Sequence, residues 1–215
     1  MIFYLNDFFY QMDEEHSIIE NIIKKSYDKL NNIIDNWCDN FDNNLNEGKM
    51  RECRGNNIEN FIKYVIELFN NIEGNNIYAI KGTDDKKELR IPGTNIKKYH
   101  QVDIHIYKNN KFIAIIECKA YLDSCYYVRA CDDFKLFQKF GYPVKHTIFT
   151  LENSIDEDTK IFTDHLNDHI CNDVFYILDG KRSSAKPIYD EKYKKMINHD
   201  NFVRFIDFIY SIAQG

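Results

Sequence analysis

The 215-residue chain carries no C-x-x-C pair; its six cysteines, Cys38, Cys53, Cys118, Cys125, Cys131 and Cys171, are scattered. Thiols without paired spacing do not suggest a disulfide framework, and a reducing, cytoplasmic compartment is the expectation. No apolar run approaches the roughly 20 residues needed to span a bilayer. The N-terminus does not resemble a signal peptide, because Asp7, Asp13, Glu14 and Glu15 interrupt it and no basic stretch leads it. P-loop, dinucleotide and G-x-S-x-G fingerprints are missing, as are repeats and low-complexity tracts. Positive charge is in deficit: 28 Lys and Arg against 34 Asp and Glu leave a net charge of −6. That balance argues against an indiscriminate nucleic-acid coat, but leaves room for a local basic groove, because binding follows the local field.

What is present suffices for a folded domain. Hydrophobic residues make up 44% and aromatics 15%, which excludes a disordered chain and fits a single domain over 1–215 with a sizeable core. The chain is organised around Lys111 to Ala120. Phe112 to Ile116 are apolar without interruption and predict a strand buried on both faces. The run ends in Glu117-Cys118-Lys119, and alternation along a strand puts Glu117 and Lys119 on one face. Upstream, His100 to Tyr107 predicts a second strand, with Asn109-Asn110 as the turn of a hairpin. Folding that hairpin brings Asp103 near Glu117. Two carboxylates at a hairpin's open end repel unless a cation intervenes, and hard oxygen ligands suit Mg²⁺.

Asp103 followed by Glu117-Cys118-Lys119 on the next strand resembles the D…(D/E)xK core of the PD-(D/E)xK nucleases, and more closely their type II restriction endonucleases. Val102 stands where that family usually has proline. The resemblance implies an α/β fold with a central mixed sheet flanked by helices and a nuclease core over 51–180; by spacing and charge, 1–50 reads as a helical N-terminal extension and 181–215 as a basic loop with a C-terminal helix. The resemblance also implies Mg²⁺, or Mn²⁺ in its place, held by Asp103, Glu117 and the Cys118 carbonyl. Lys119 would orient the attacking water or steady charge at the phosphate. A glutamate on the first core helix often faces the metal in this family, and Glu59 occupies that place. The implied activity is hydrolysis of double-stranded DNA to a 5′-phosphate and a 3′-hydroxyl, by a homodimer when both strands are cut. Two alternatives stay open: a repair, junction or mobile-element nuclease on the same core, and a silent DNA-binding module.

Taken in order, Ile18, Ile19, Ile22, Ile23, Leu30, Ile33, Ile34 and Trp37 recur at helical spacing, and Asn40 to Asn46 with Gly48 form a polar break. Asn56 or Asn57 is expected to cap a helix bearing Ile58, Phe61, Ile62, Val65, Leu68, Phe69 and Ile72. Asn76 to Thr83, with Ile77-Tyr78-Ala79-Ile80, predicts a first core strand, and Asp84 to Lys98 a basic loop turning at Pro92-Gly93. A helix from Asp123 to Gly141 should bury Val128, Cys131, Phe134 and Phe137. A strand at 145–151, a helix at 156–169, a strand at 173–178 and a helix at 201–213 complete the chain. Lys97, Lys98, Arg129, Lys181 and Arg182 are the candidate DNA contacts. His165, His169 and Cys171 lack a fourth ligand at a typical zinc spacing.

The hairpin carries a geometric condition. A two-residue Asn109-Asn110 loop running into a regular ladder sets Asp103 opposite Ile116 and turns Glu117 to the other face. A shared site therefore requires either a three-residue loop, Asn109-Asn110-Lys111, or a bulge along the hairpin.

Overall fold

In the computed structural model, residues 2–41, 47–72, 74–183, 185–186, 188 and 190–215 are described, with side chains from 16 to 37 and from 52 onward. The fold is mixed α/β. Its elements run α1 (Ile2–Phe41), α2 (Glu47–Asn70), β1 (Ile77–Lys81), β2 (Lys87–Arg90), β3 (Lys97–His100), β4 (Ile104–Lys108), β5 (Lys111–Asp123), α3 (Ser124–Lys139), β6 (Lys145–Ser154), α4 (Glu157–Leu166), β7 (Asp173–Tyr176) and α5 (His199–Gln214). Five strands form one sheet in the order β1-β4-β5-β6-β7. β4 runs antiparallel to both its neighbours, β1 and β5, whereas β6 and β7 add in parallel to β5. The apolar run of β5 thus lies at the centre, and its Ala114, Ile115 and Ile116 are fully buried.

Helices cover both faces. Against one face lie α1, α2 and α5: Leu30, Ile34, Trp37, Ile58, Phe61, Val65, Phe202, Phe205 and Ile209 share a core with Ile104, Ile106, Ile116, Cys118, Phe149 and Phe175 of the sheet. The rings of Phe149 and Phe205 meet edge to face at 4.7 Å, and Phe61 lies 5.7 Å from Phe149. Against the other face, α3 packs Tyr127, Cys131, Phe134 and Phe137 over Ile115, Ile148 and Val102. Asp123 caps α3 by accepting the Tyr126 N–H, and Gly141 follows the helix at φ +82°, the left-handed conformation that glycine adopts without a Cβ clash.

Several expectations change. The basic segment 84–98 is not a loop: β2 and β3 pair as a separate two-stranded ribbon, Lys87 opposite His100 and Arg90 opposite Lys97. The strand expected from His100 begins only at Ile104, because residues 97–100 belong to that ribbon. Asn56 and Asn57 do not cap α2, which already runs from Glu47; Asn57 bonds to Cys53 one turn back, and Asn56 accepts from Lys81. Gly48 lies inside α2, and 42–46, most of the polar break, are outside the described residues. On α3, Val128 is 38% exposed, and Tyr127 and Ala130 fill the buried stripe in its place.

The Phe61–Phe149–Phe205 contacts tie α2 and α5 to the sheet centre. Phe61→Ala should therefore cost about 3–5 kcal/mol in chemical denaturation, as large-to-small changes at fully buried aromatics do. A loss under about 1 kcal/mol would show that α2 contributes little to the core.

Candidate functional site

The hairpin meets its geometric condition through a bulge. Asn109 and Asn110 form a two-residue turn with φ of 49° and 60°, the left-handed pair of a type I′ turn. Lys108 then pairs with Lys111 and Tyr107 with Phe112, but Ile106 pairs with Ala114, His105 with Ile115 and Ile104 with Ile116. Ile113 is the extra residue. It shifts the remaining ladder by one position, and Asp103 comes next in line opposite Glu117.

The side chains converge accordingly. Lys119 Nζ lies 3.4 Å from Asp103 Oδ2 and forms a close ion pair with Glu117 Oε1. Asp103 sits just before β4 begins, and its Oδ2 accepts the Cys118 N–H at 2.8 Å. The carboxylate thus replaces the ladder partner that β5 loses there. Since a strand residue's N–H and C=O point to the same side, the Cys118 carbonyl lies on this vacated edge.

The electrostatics follow from burial. Burial and the neighbouring charge of Asp103 push the Glu117 carboxyl up to about 7. Burial alone would lower the Lys119 ammonium, but Glu117 and Asp103 outweigh it and hold that pKa above the ordinary lysine value. Burial likewise raises the Cys118 thiol, so this cysteine is a protonated wall residue on the opposite face, not a nucleophile. Two carboxylates share one ammonium, leaving a local excess of negative charge. Among the described residues no group of three His, Cys, Asp or Glu side chains forms a metal centre. A cation here would therefore be held by two carboxylates and the vacated carbonyl edge with water completing the shell, a hard oxygen set that fits Mg²⁺ or Mn²⁺.

Two devices fix the Asp103 segment, and neither stands out in the sequence. Gly82 donates its N–H to the Asp103 carbonyl at 2.9 Å. A Cβ on Gly82 would fall 1.7 Å from the Val102 carbonyl oxygen, so the approach requires glycine. The fully buried His105 accepts the Val102 N–H at Nε2 (3.3 Å) and contacts Asp85 through Nδ1 (3.0 Å). Those partners select the neutral Nδ1–H tautomer, and burial lowers the His105 pKa despite Asp85. Tyr107 and Lys87 close on the same Asp85 carboxylate.

The other candidates separate. Glu59 pairs with Lys81 at 2.9 Å, and its helix covers the Cys118 face of β5 rather than the face bearing Glu117. Arg182 stacks on the Tyr121 ring at 3.7 Å, and Tyr121 follows Lys119 by two residues on β5. Lys181 is exposed beside it, and Arg129 is exposed on α3. Lys97 and Lys98 stand on β3 of the ribbon. An unanticipated acid, Asp133 of α3, lies 3.3 Å from His100 and adds to the field on Glu117. His165, His169 and Cys171 do not assemble: α4 ends at Leu166, His169 sits in a turn at φ +52°, and the Cys171 thiol bonds to the Asp173 carbonyl.

Compared with protein-family models and with curated proteins, the chain matches none.

Two measurements test this geometry. Gly82→Ala should displace the Val102–Asp103 segment and cost roughly 1–3 kcal/mol in denaturation, as overpacking does; unchanged stability would mean that the close approach is not kept in solution. For pH, a carboxyl that titrates higher in the folded chain binds protons on folding, so stability falls as pH rises from the ordinary 4.5 to about 7. Glu117→Gln removes that penalty. In melts without divalent cation the variant should be the more stable protein at pH 8, with the advantage vanishing below pH 4.5. A less stable variant at pH 8 would show that the Lys119 ion pair outweighs the burial.

Proposed function

We propose that the chain is a divalent-metal-dependent endonuclease that hydrolyses phosphodiester bonds of double-stranded DNA, of the kind its Asp103, Glu117-Cys118-Lys119 pattern resembles. The observation that carries this reading is the convergence of Asp103, Glu117 and Lys119 on one face, brought about by an extra residue at Ile113. A same-face Glu-Lys pair alone would be an ordinary strand ion pair. The second carboxylate, and the bulge that delivers it, are superfluous to such a pair but required by a metal site.

Asp103, Glu117 and the Cys118 carbonyl would hold the ion. When bound, Mg²⁺ or Mn²⁺ supplies a water of lowered pKa and neutralises charge on the phosphate. The chain's own groups do the remainder. Lys119 stays protonated across the physiological range, since its pKa is held high by its carboxylate partners. Its ammonium, 23% exposed, faces the site as a fixed cation against charge developing on the phosphate. Asp103 is oriented by the Cys118 N–H and by the Gly82 and His105 contacts, so little reorganisation is needed on binding. Arg182, held on Tyr121, offers a cation to an adjacent phosphate of the same strand. Type II restriction cleavage by a homodimer is the narrower form of the proposal.

The test is nicking of supercoiled plasmid in Mg²⁺. Glu117→Ala and Lys119→Ala should each lose about 100-fold or more in rate while keeping the fold, and chelation should abolish cleavage by the parent. Near-parental rates from either purified variant would sink the assignment.

A further inference from the structure

We infer that the β2–β3 ribbon is the element by which this protein enters the major groove of duplex DNA and reads bases, with Ile91 and Ile96 as its apolar contacts. The inference rests on the nuclease reading above and assigns its recognition element.

Every residue from Arg90 to Tyr99 is exposed. At the tip, the Ile91 N–H bonds to the Ile96 carbonyl at 3.1 Å and Pro92-Gly93 makes the turn, Gly93 at φ +75°. The closing pair is thus two isoleucines, 45% and 63% exposed, on a projecting ribbon. Around them the ribbon is basic. Between 87 and 100 it holds Lys87, Arg90, Lys97 and Lys98 against Glu88 alone, a net +3 in a chain of net −6. The excess lies where a polyanion would bind, and the rest of the chain repels one.

The solvent face is preorganised. Glu88 accepts from Arg90 Nε and Nη2 at 3.1 and 2.9 Å, from Lys97 Nζ at 2.9 Å and from the Tyr99 hydroxyl at 3.1 Å. Arg90, Lys97 and Tyr99 are thereby held side by side, donors of the kind that address phosphates and guanine edges. The body-facing side is anchored: Leu89 is buried, and the Tyr142 hydroxyl donates to the Glu88 carbonyl.

Dimensions agree. Two strands about 4.8 Å apart, with side chains, fill a groove about 12 Å wide. Chain length also bounds the reach. From Thr94 to Asp103 the backbone can span at most about 32 Å, or roughly nine base pairs at 3.4 Å each. Bases read by the tip therefore lie within about nine base pairs of the phosphate at Asp103.

The experiment is duplex binding by fluorescence anisotropy in EDTA across a salt series, with melts as the folding control. Ile91→Ser with Ile96→Ser should weaken binding about tenfold or more with an unchanged salt slope, since apolar contacts release no counterions. Arg90→Ala with Lys97→Ala should also weaken it and flatten the slope by about 1 to 2. Both variants should melt with the parent, their side chains being exposed. A minor-groove ligand such as distamycin should not compete. If the parent binds duplex but both variants match it in affinity and slope, the ribbon assignment fails while the nuclease reading stands. Displacement by distamycin, or loss of anionic-vesicle binding rather than DNA binding in the isoleucine variant, overturns it equally. If the parent binds no duplex at all, the nuclease reading itself fails.

Discussion

The register between β4 and β5 is the constraint on which the site depends. With a two-residue turn and a regular ladder, Glu117 and Lys119 would face α1, α2 and α5, and Asp103 would face α3. The extra residue at Ile113 moves Glu117 and Lys119 to the α3 side, where Asp103 already points. A bulge forfeits regular pairing, so it needs support. Phe112, immediately before it, is packed by the rings of His105, Tyr107, Phe137 and Tyr142, with the Lys87 ammonium 4.7 Å above its face. That aromatic nest holds the register that a slip of one residue would destroy.

The same geometry sets the electrostatics. β4 begins only at Ile104, and before it a side-chain carboxylate takes over from the missing backbone acceptor. Placing a charge at a strand end in this way brings a second carboxylate within reach of Glu117 in a poorly hydrated corner. Burial then raises Glu117 rather than expelling it, and Lys119 compensates only one of the two charges. A purely structural site would be better served by apolar residues at these positions. Retained like charges with a single counter-charge are the arrangement that a divalent cation relieves.

Legibility from sequence tracked the strength of the local signals. The central strand was plain from five consecutive apolar residues, the turn from Asn109-Asn110, and the start of α3 from Asp123, because each has its own local cause. The ribbon was not: along Lys87-Glu88-Leu89-Arg90 and Lys97-Lys98-Tyr99-His100 only Leu89 turns an apolar side chain inward, so no alternation announces a strand. The onset of α2 was missed because Arg54-Gly55-Asn56-Asn57 reads as a break, whereas the pairing of Asn56 with Lys81 shows tertiary contacts overriding local preference. The need for an odd register offset followed from the motif. Its location did not, since an isoleucine at 113 looks like any other residue of a buried strand. Gly82 is the instructive case: its requirement comes from the Val102 carbonyl twenty residues away, and no local rule reports such a contact.

The Asp103 carboxylate and the ribbon meet in one short segment. His100 ends the ribbon, Asp103 carries the carboxylate, and the intervening Val102 is buried in the α3-side core. Gly82 holds this segment from β1's end, His105 from β4, and Asp85, bound to His105, belongs to the loop leading into β2. The ribbon's root and Asp103 are therefore tied together by these hydrogen bonds. Short covalent connection alone would not achieve this, because even the two intervening residues, Gln101 and Val102, can absorb a large rotation. The buried neutral imidazole bridging Asp85 to the Val102 amide removes that freedom, and it does so without placing a further charge beside the carboxylates. A cation at His105 would compete with Lys119 for the same field, so the tautomer that locks the segment also preserves the negative potential of the site.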